Sequence, residues 1–241
     1  MDIFPDFKVF RENYEAGKSQ LVWHWTGADL ETPVSAYLKL CHDESYAFLL
    51  ESVEGGAVLG RYSAIGLRPD FIWRYPQDVP DGSPLDKLKR HVDDSRIDIV
   101  AENMPPMAAS GLFGYLGYGM IRLIEDIPDN NPDPLGLPES ILIRPTLMVI
   151  FDNVRSMICL SVPVREHIAN SHRDARDVYD ESIALLEHGC KRLCSPFPAH
   201  LNRHETVYEQ CPDIEETTDA ACYKDFVRKA IDYIRDGDIF Q

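Results

Sequence analysis

Two apolar runs, ILIRPTLMVIF (Ile141–Phe151) and SMICLSVPV (Ser156–Val164), flank Asp152, Asn153 and nearby polar residues. Both runs are rich in strand-forming aliphatic residues, and the polar gap is short enough for one tight turn. The pair therefore reads as a β-hairpin, and it sets antiparallel pairing as the theme of the fold. Upstream, YAFLLES (46–52), RYSAIGL (61–67) and FIWRY (71–75) read as short strands separated by turn residues. LVWHW (21–25) alternates, with Leu21, Trp23 and Trp25 on one side, as a half-buried strand does.

Helices flank these strands. Phe7, Phe10 and Tyr14 repeat at helical spacing before Gly17, which suits a left-handed cap. Thr32 before Pro33 is an N-cap followed by a first-turn proline, so PVSAYLKLC (33–41) opens a second helix. Tyr179, Ile183, Leu186, Cys190 and Leu193 mark one face of a long helix that Pro196 prevents from extending. The expected class is α+β, with mixed, mainly antiparallel sheets and flanking helices.

The chain has 241 residues, enough for one large domain or two smaller ones with a real core. Its 40 acidic against 24 basic residues give a net charge of −16, which repels phosphate backbones and anionic lipid surfaces. Nucleic-acid and membrane-surface binding are disfavoured. The amino terminus, MDIFPDFKVF, carries acids where a signal peptide needs positive charge, and no apolar run is long enough to span a bilayer, so a cytoplasmic protein is expected. Six cysteines without a CxxC pair read as reduced thiols. His188, Cys190 and Cys194, and separately His200 and His204, match no common zinc spacing and read as ordinary helix residues.

The segment 195–218 is rich in proline, acids and histidine without a sustained period, and reads as a connection. A new helix is expected from Thr218 or Asp219, with Tyr223, Phe226, Val227, Ala230, Ile231 and Ile234 on one face and Gly237 closing it. Ile239 and Phe240 look like the start of a strand. An amphipathic helix followed by a nascent strand has no further sequence to pack against, so the chain reads as truncated.

GLFGYLGYG (111–119) does not have GxGxxG spacing, and no GK[ST] follows, which argues against a phosphate loop. Its glycines suit a strand closely approached by a neighbour, with IRLIED beginning a helix or turn. Glu125, Asp126, Asp129 and Asp133 read as solvated surface, so none is assigned to a metal. No GxSxG elbow or cysteine-nucleophile pattern is present.

FLLESVEGG (48–56) ends a strand in an acid and a hydroxyl before a flexible turn. Two readings of those residues stand side by side. Ser52 and Glu51 either cap a turn at the end of an edge strand, or accept hydrogen bonds from the ammonium group of a free amino acid, with Leu49 or Leu50 as apolar wall.

LLESVEGG, GRYSAIGLRPD, GLFGYLGYGMIRLIE, NPDPLGLPES and YIRDGDIFQ, in that order from Leu49 to Gln241, resemble the large subunit, component I, of anthranilate synthase. The resemblance implies a tryptophan feedback site at Ser52, Glu51 and Leu50, with Arg61, Tyr62 and Ser63 as neighbours. It implies a regulatory domain over 1–194, a connection over 195–218, and the start of a chorismate-binding catalytic domain over 219–241. No catalytic or metal residue is expected within the chain, because the catalytic groups and the ligands for Mg2+ would lie beyond Gln241; this chain alone is expected to be inactive. The family converts chorismate and ammonia to anthranilate and pyruvate, and takes ammonia from a glutamine amidotransferase subunit, component II, in a heterotetramer. One departure stands out: the family usually shows an acid after the second tyrosine of the third block, where this chain has Gly119. Two other readings are a related large subunit, that of aminodeoxychorismate synthase in the folate pathway, and a stand-alone amino-acid-binding module.

Overall fold

A computed structural model describes residues 1–52, 60–78, 82–109, 111–165, 172–198, 201 and 216–241. The expected glycine turn after Glu54, the histidines at 200 and 204, and most of the 195–218 connection lie outside the described residues. Two units follow one another along the chain, Met1–Asn202 and Arg203–Gln241.

The first unit is organised by one seven-stranded sheet: β1 (Ile3–Phe4), β2 (Gln20–Gly27), β3 (Ala47–Leu50), β4 (Tyr62–Tyr75), β5 (Phe113–Leu116), β6 (Ser140–Asp152) and β7 (Met157–Val164). The order is β1–β2–β7–β6–β4–β3, and each neighbouring pair is antiparallel. The long hairpin expected from the sequence is β6–β7. One edge of β6 pairs along β4; its other edge is shared by β7 at Met148–Asp152 and β5 at Ser140–Ile143.

Alternation along these strands sorts the core into two faces. Leu49, Ile65, Val149 and Leu160 stand opposite one another across β3, β4, β6 and β7, and pack in the larger cluster with residues of α1 (Phe7–Glu15), α2 (Pro33–Cys41) and α4 (Ala175–Leu193). The next row, Leu50, Ala64, Ile150, Cys159 and Trp25, faces the other way. There Trp23, Met104, Met107 and Phe113 pack over Leu21, Ala64, Met148, Ile150 and Cys159. Adjacent leucines of β3 therefore serve opposite faces.

The helices begin where local chemistry dictates. Thr32 and Ser35 form a reciprocal capping box at α2, with Pro33 at its first position. Lys39, salt-bridged to Glu31, also donates to the Leu193 carbonyl at 2.9 Å, and Arg192 Nε donates to the Lys39 carbonyl at 3.0 Å, which ties α2 to the end of α4. Tyr179 stacks at a tilt on Phe7 and Phe10 and donates to the Pro5 carbonyl at 2.8 Å.

Two local expectations need correction, and one helix was not expected. RYSAIGL and FIWRY belong to one strand, β4; Arg68 adopts a left-handed φ of 53° and the register slips between Pro69 and Phe71, so the proline marks a bulge within a strand. The strand expected over 46–52 ends at Leu50, leaving Glu51 and Ser52 beyond it. A further helix, α3 (Pro84–Asp93), capped by Ser83 with Pro84 in its first turn, supplies Leu88 to a small cluster around Trp73, Met120 and Leu142.

The second unit contains α5 (Ala220–Asp236), capped by Asp219 and closed by Gly237 at a φ of 83°. Its apolar face is exposed, with Tyr223 at 63% and Phe226 at 58%. Ile239 and Phe240 form no strand; the Ile239 N–H turns back to the Tyr233 carbonyl at 3.4 Å.

Candidate functional site

Ser52 follows the end of β3, where no ladder holds its backbone, and its surroundings come from β4 and the β6–β7 turn. Its N–H points to Ser63 Oγ at 3.4 Å, and Ser63, on β4, is only 1% exposed. Beneath Ser52 runs the backbone of Gly60. A Cβ added at Gly60 would lie 1.9 Å from Ser52 Oγ, 2.5 Å from its Cβ and 3.0 Å from its carbonyl oxygen. Only a glycine lets that backbone approach so closely.

The Asp152–Asn153 turn holds Gly60 and Arg61 from the other side. Arg61 Nε and Nη2 donate to Asp152 Oδ1 and Oδ2 at 3.2 and 3.0 Å, a paired geometry that orients the guanidinium. Asp152, 2% exposed, also accepts from the N–H groups of Val154 at 3.1 Å and Arg155 at 3.3 Å. Burial alone would raise its carboxyl pKa; the hydrogen bonds from Arg61, Arg155 and Val154 and the Arg61 charge outweigh burial and hold it below the usual carboxylate range. Asn153 donates through Nδ2 to the Gly60 carbonyl at 2.8 Å and through its N–H to the Arg61 carbonyl at 2.9 Å.

Aromatic residues border this network. The Arg61 guanidinium lies 4.8 Å from the centre of the Tyr62 ring, and that of Arg155 6.0 Å from the Trp25 ring. Leu50, at 48% exposure, is available as apolar wall, whereas Leu49 packs against the helix-side core. Glu51 and Ser52 are exposed. Ser52, Ser63 and Gly60 are thus brought together, while the Arg61 guanidinium is directed to Asp152. The sequence reading took Asp152 and Asn153 only as turn residues; the signal for more was a buried acid ending a core strand, which requires a cation.

The third block behaves as its glycines suggested. Phe113–Leu116 pairs with β6 and a 3-10 turn, Tyr118–Leu123, follows. At Gly119, where the resemblance leads one to expect an acid, a Cβ would lie 2.1 Å from Glu139 Oε2 and 2.4 Å from its Cδ. The Glu139 carboxylate occupies that space. Of the acids read as surface, Asp129 pairs with Arg122 at 2.6 Å, and Asp133 caps the N–H groups of Leu135 and Gly136.

Hollows of about 770, 790 and 580 Å3 lie elsewhere in the first unit, and none is lined by the described residues among 50–63. Their size does not make them the candidate site. The one of about 770 Å3 is an open groove between Glu44, Arg68 and Glu181, whereas the Ser52 neighbourhood is defined by converging polar groups on a surface. Among the described residues, no group of three or more His, Cys, Asp or Glu side chains could hold a metal ion, and no helix is long and apolar enough to cross a membrane.

An α+β unit built on this antiparallel sheet, with the LLES and GRYS segments meeting at one end of β4, is accompanied by a match to the model of the chorismate binding enzyme family over residues 47–241, and the chain belongs to that family. Its similarity is to anthranilate synthase component 1. It is 39% identical over 251 residues to that protein of Cereibacter sphaeroides, covering 98% of this chain and 49% of the relative, and 31% identical over 257 residues to that of Synechocystis, covering 99% and 50%. The crystal structure of anthranilate synthase component I from Streptococcus pneumoniae has a TM-score of 0.52 at 20% identity, covering 88% of this chain and 45% of that one, which shows a shared fold. The chain spans about half the length of the curated relatives it matches. The family match runs over residues 47–241 and gives no support to a truncation before the chorismate-binding portion.

Proposed function

We propose that this chain carries the tryptophan feedback site of an anthranilate synthase component I. The observation that carries the reading is the meeting of Ser52, Gly60 and Ser63 in a chain 39% identical to such a protein over 98% of its length. Tryptophan presents an ammonium group, an α-carboxylate and an indole. The Ser52 hydroxyl and the Glu51 carboxylate accept from the ammonium, and Leu50 supplies apolar surface to the indole. Arg61, Tyr62 and Ser63 shape the floor, with Arg61 acting through Asp152.

In this reading the complete protein works in the cytoplasm with a glutamine amidotransferase subunit, component II, in a heterotetramer, and adds the ammonia it receives to chorismate. Pyruvate and water leave, and anthranilate remains. Magnesium belongs to that chemistry; among the described residues no group of three or more His, Cys, Asp or Glu side chains could hold it. The test is calorimetric titration of the complete protein with L-tryptophan and with L-phenylalanine. Saturable binding of tryptophan that Ser52→Ala weakens supports the reading, and binding indifferent to Ser52 opposes it.

A further inference from the structure

Ser52 lies on a segment without ladder support, yet an effector site needs its acceptor held in place by groups that are themselves fixed. The support reaches Ser52 through Gly60, whose backbone fits beneath the hydroxyl. Gly60 and Arg61 precede β4 and in turn are held by four hydrogen bonds from one short turn. Asn153 takes the Gly60 carbonyl with its side chain and the Arg61 carbonyl with its N–H, and Asp152 takes two N–H groups of the Arg61 guanidinium. Asp152 is fixed in its own right. It is the last residue of β6, the central strand, is paired across the sheet with Tyr62 on one side and Met157 on the other, and accepts from the N–H groups of Val154 and Arg155.

We infer that the Asp152–Asn153 turn is the positioning element of the effector site: it fixes the Gly60–Arg61 backbone under Ser52 and neutralises Arg61 beside the place where an ammonium group is received. The inference rests on the feedback-site reading above and adds residues to it. Two effects act together. The Asn153 amide sets where the Gly60 backbone lies, and hence where Ser52 Oγ sits. The Asp152 carboxylate keeps the Arg61 charge paired, since an unpaired guanidinium next to the site would repel an incoming ammonium. Asp152 and Asn153 are positioning residues, because neither is assigned a contact with the effector.

The experiment is calorimetric measurement of the L-tryptophan Kd at 10 °C on the complete protein, for wild type, Asp152→Asn, Asn153→Ala, Arg61→Gln, the Asp152→Asn/Arg61→Gln double variant and Ser52→Ala, with a melting curve for each. Asp152→Asn retains an acceptor for the Val154 and Arg155 N–H groups while removing the charge. The expected result is at least a tenfold rise in Kd for Asp152→Asn and for Asn153→Ala, and a double variant within about twofold of Arg61→Gln alone, as required if Asp152 acts through Arg61. A folded Asp152→Asn protein that melts earlier but keeps its Kd within twofold overturns the inference, as does multiplication of the two single effects in the double variant. Should Asp152→Asn not fold, Asn153→Ala decides by the same criterion. Weaker binding in Ser52→Ala with unchanged binding in the turn variants removes the positioning role and leaves the site standing. No binding by wild type, or no effect of Ser52→Ala, removes the site reading and this inference with it.

Discussion

Arg61 and Asp152 are 91 residues apart in sequence and joined by two hydrogen bonds of 3.2 and 3.0 Å. The pair fastens the start of β4 to the end of β6, next to Ser52. Asp152 is buried and Arg61 is half exposed, so water screens one partner and not the other.

That asymmetry has a pH signature. The Asp152 carboxyl is held below its ordinary pKa in the folded chain, so its stabilising effect is fully present above the unfolded value of about 3.9 and is lost as pH falls through the folded value. Urea unfolding of wild type and Asp152→Asn at pH 6 and at successive points below pH 4 should show wild type more stable at pH 6 and the difference shrinking as the solution becomes acid. A difference that stays constant down to pH 2.5 would contradict the assigned ionisation.

Gly60→Ala tests the close approach directly. Its new methyl would lie 2.5 Å from Ser52 Cβ and 3.0 Å from the Ser52 carbonyl oxygen, as well as against Oγ, so rotating the hydroxyl aside does not relieve the overlap. Overpacking of this kind costs about 1–3 kcal/mol. The expected outcome is that Gly60→Ala lowers the unfolding free energy by that amount and weakens tryptophan binding in the complete protein. A substitution neutral in both measurements would show that Ser52 and Gly60 are not in contact.

The parts of this fold that were legible in the sequence are those governed by local chemistry or strict alternation. Thr32 before Pro33 gave its helix start, and the alternation of LVWHW put Leu21, Trp23 and Trp25 on one side, where the structure packs them together. β4 was misread as two strands because Pro69 normally ends one; pairing along β6 carries the strand past a left-handed Arg68. α3 was missed because its apolar face is thin and none of its residues is fully buried. At the candidate site, it was the resemblance carried by two neighbouring segments that pointed to Ser52, Arg61 and Ser63. The partner of Arg61 could not be read, since nothing local ties residue 61 to residue 152, and only the sheet register brings them together.

Thiol reactivity should follow burial. Cys41 and Cys159 have pKa values pushed up to about 12, and Cys190 to about 11, in each case chiefly by burial, so these remain protonated and slow near neutral pH. Cys194 is exposed and Cys222 half exposed. Alkylation of the native chain with iodoacetamide at pH 7.5, followed by mass spectrometry, should label Cys194 and Cys222 before Cys41 or Cys159. Early labelling of Cys159 would contradict its place between Ile150 and Trp25 in the sheet.

Gly119→Asp places a side chain where the Glu139 carboxylate already lies, 2.1 Å from the new Cβ, and brings a second negative charge to the same spot. The variant should lose about 1–3 kcal/mol of stability, with much of the loss recovered in Gly119→Asp/Glu139→Ala. Urea denaturation of the three proteins measures it. Additive losses in the double variant would show that Glu139 does not fill the space beside Gly119.

The central claim is tested most directly by Ser52→Ala in the complete protein, assayed for anthranilate formation at one chorismate concentration across a tryptophan titration. Loss of one hydrogen bond to a charged ammonium costs about 1.5–3 kcal/mol, so the inhibitory concentration should rise roughly ten- to a hundredfold while the rate without tryptophan falls far less. An inhibition curve that stays in place, or a loss of basal rate equal to the loss of inhibition, would contradict the account.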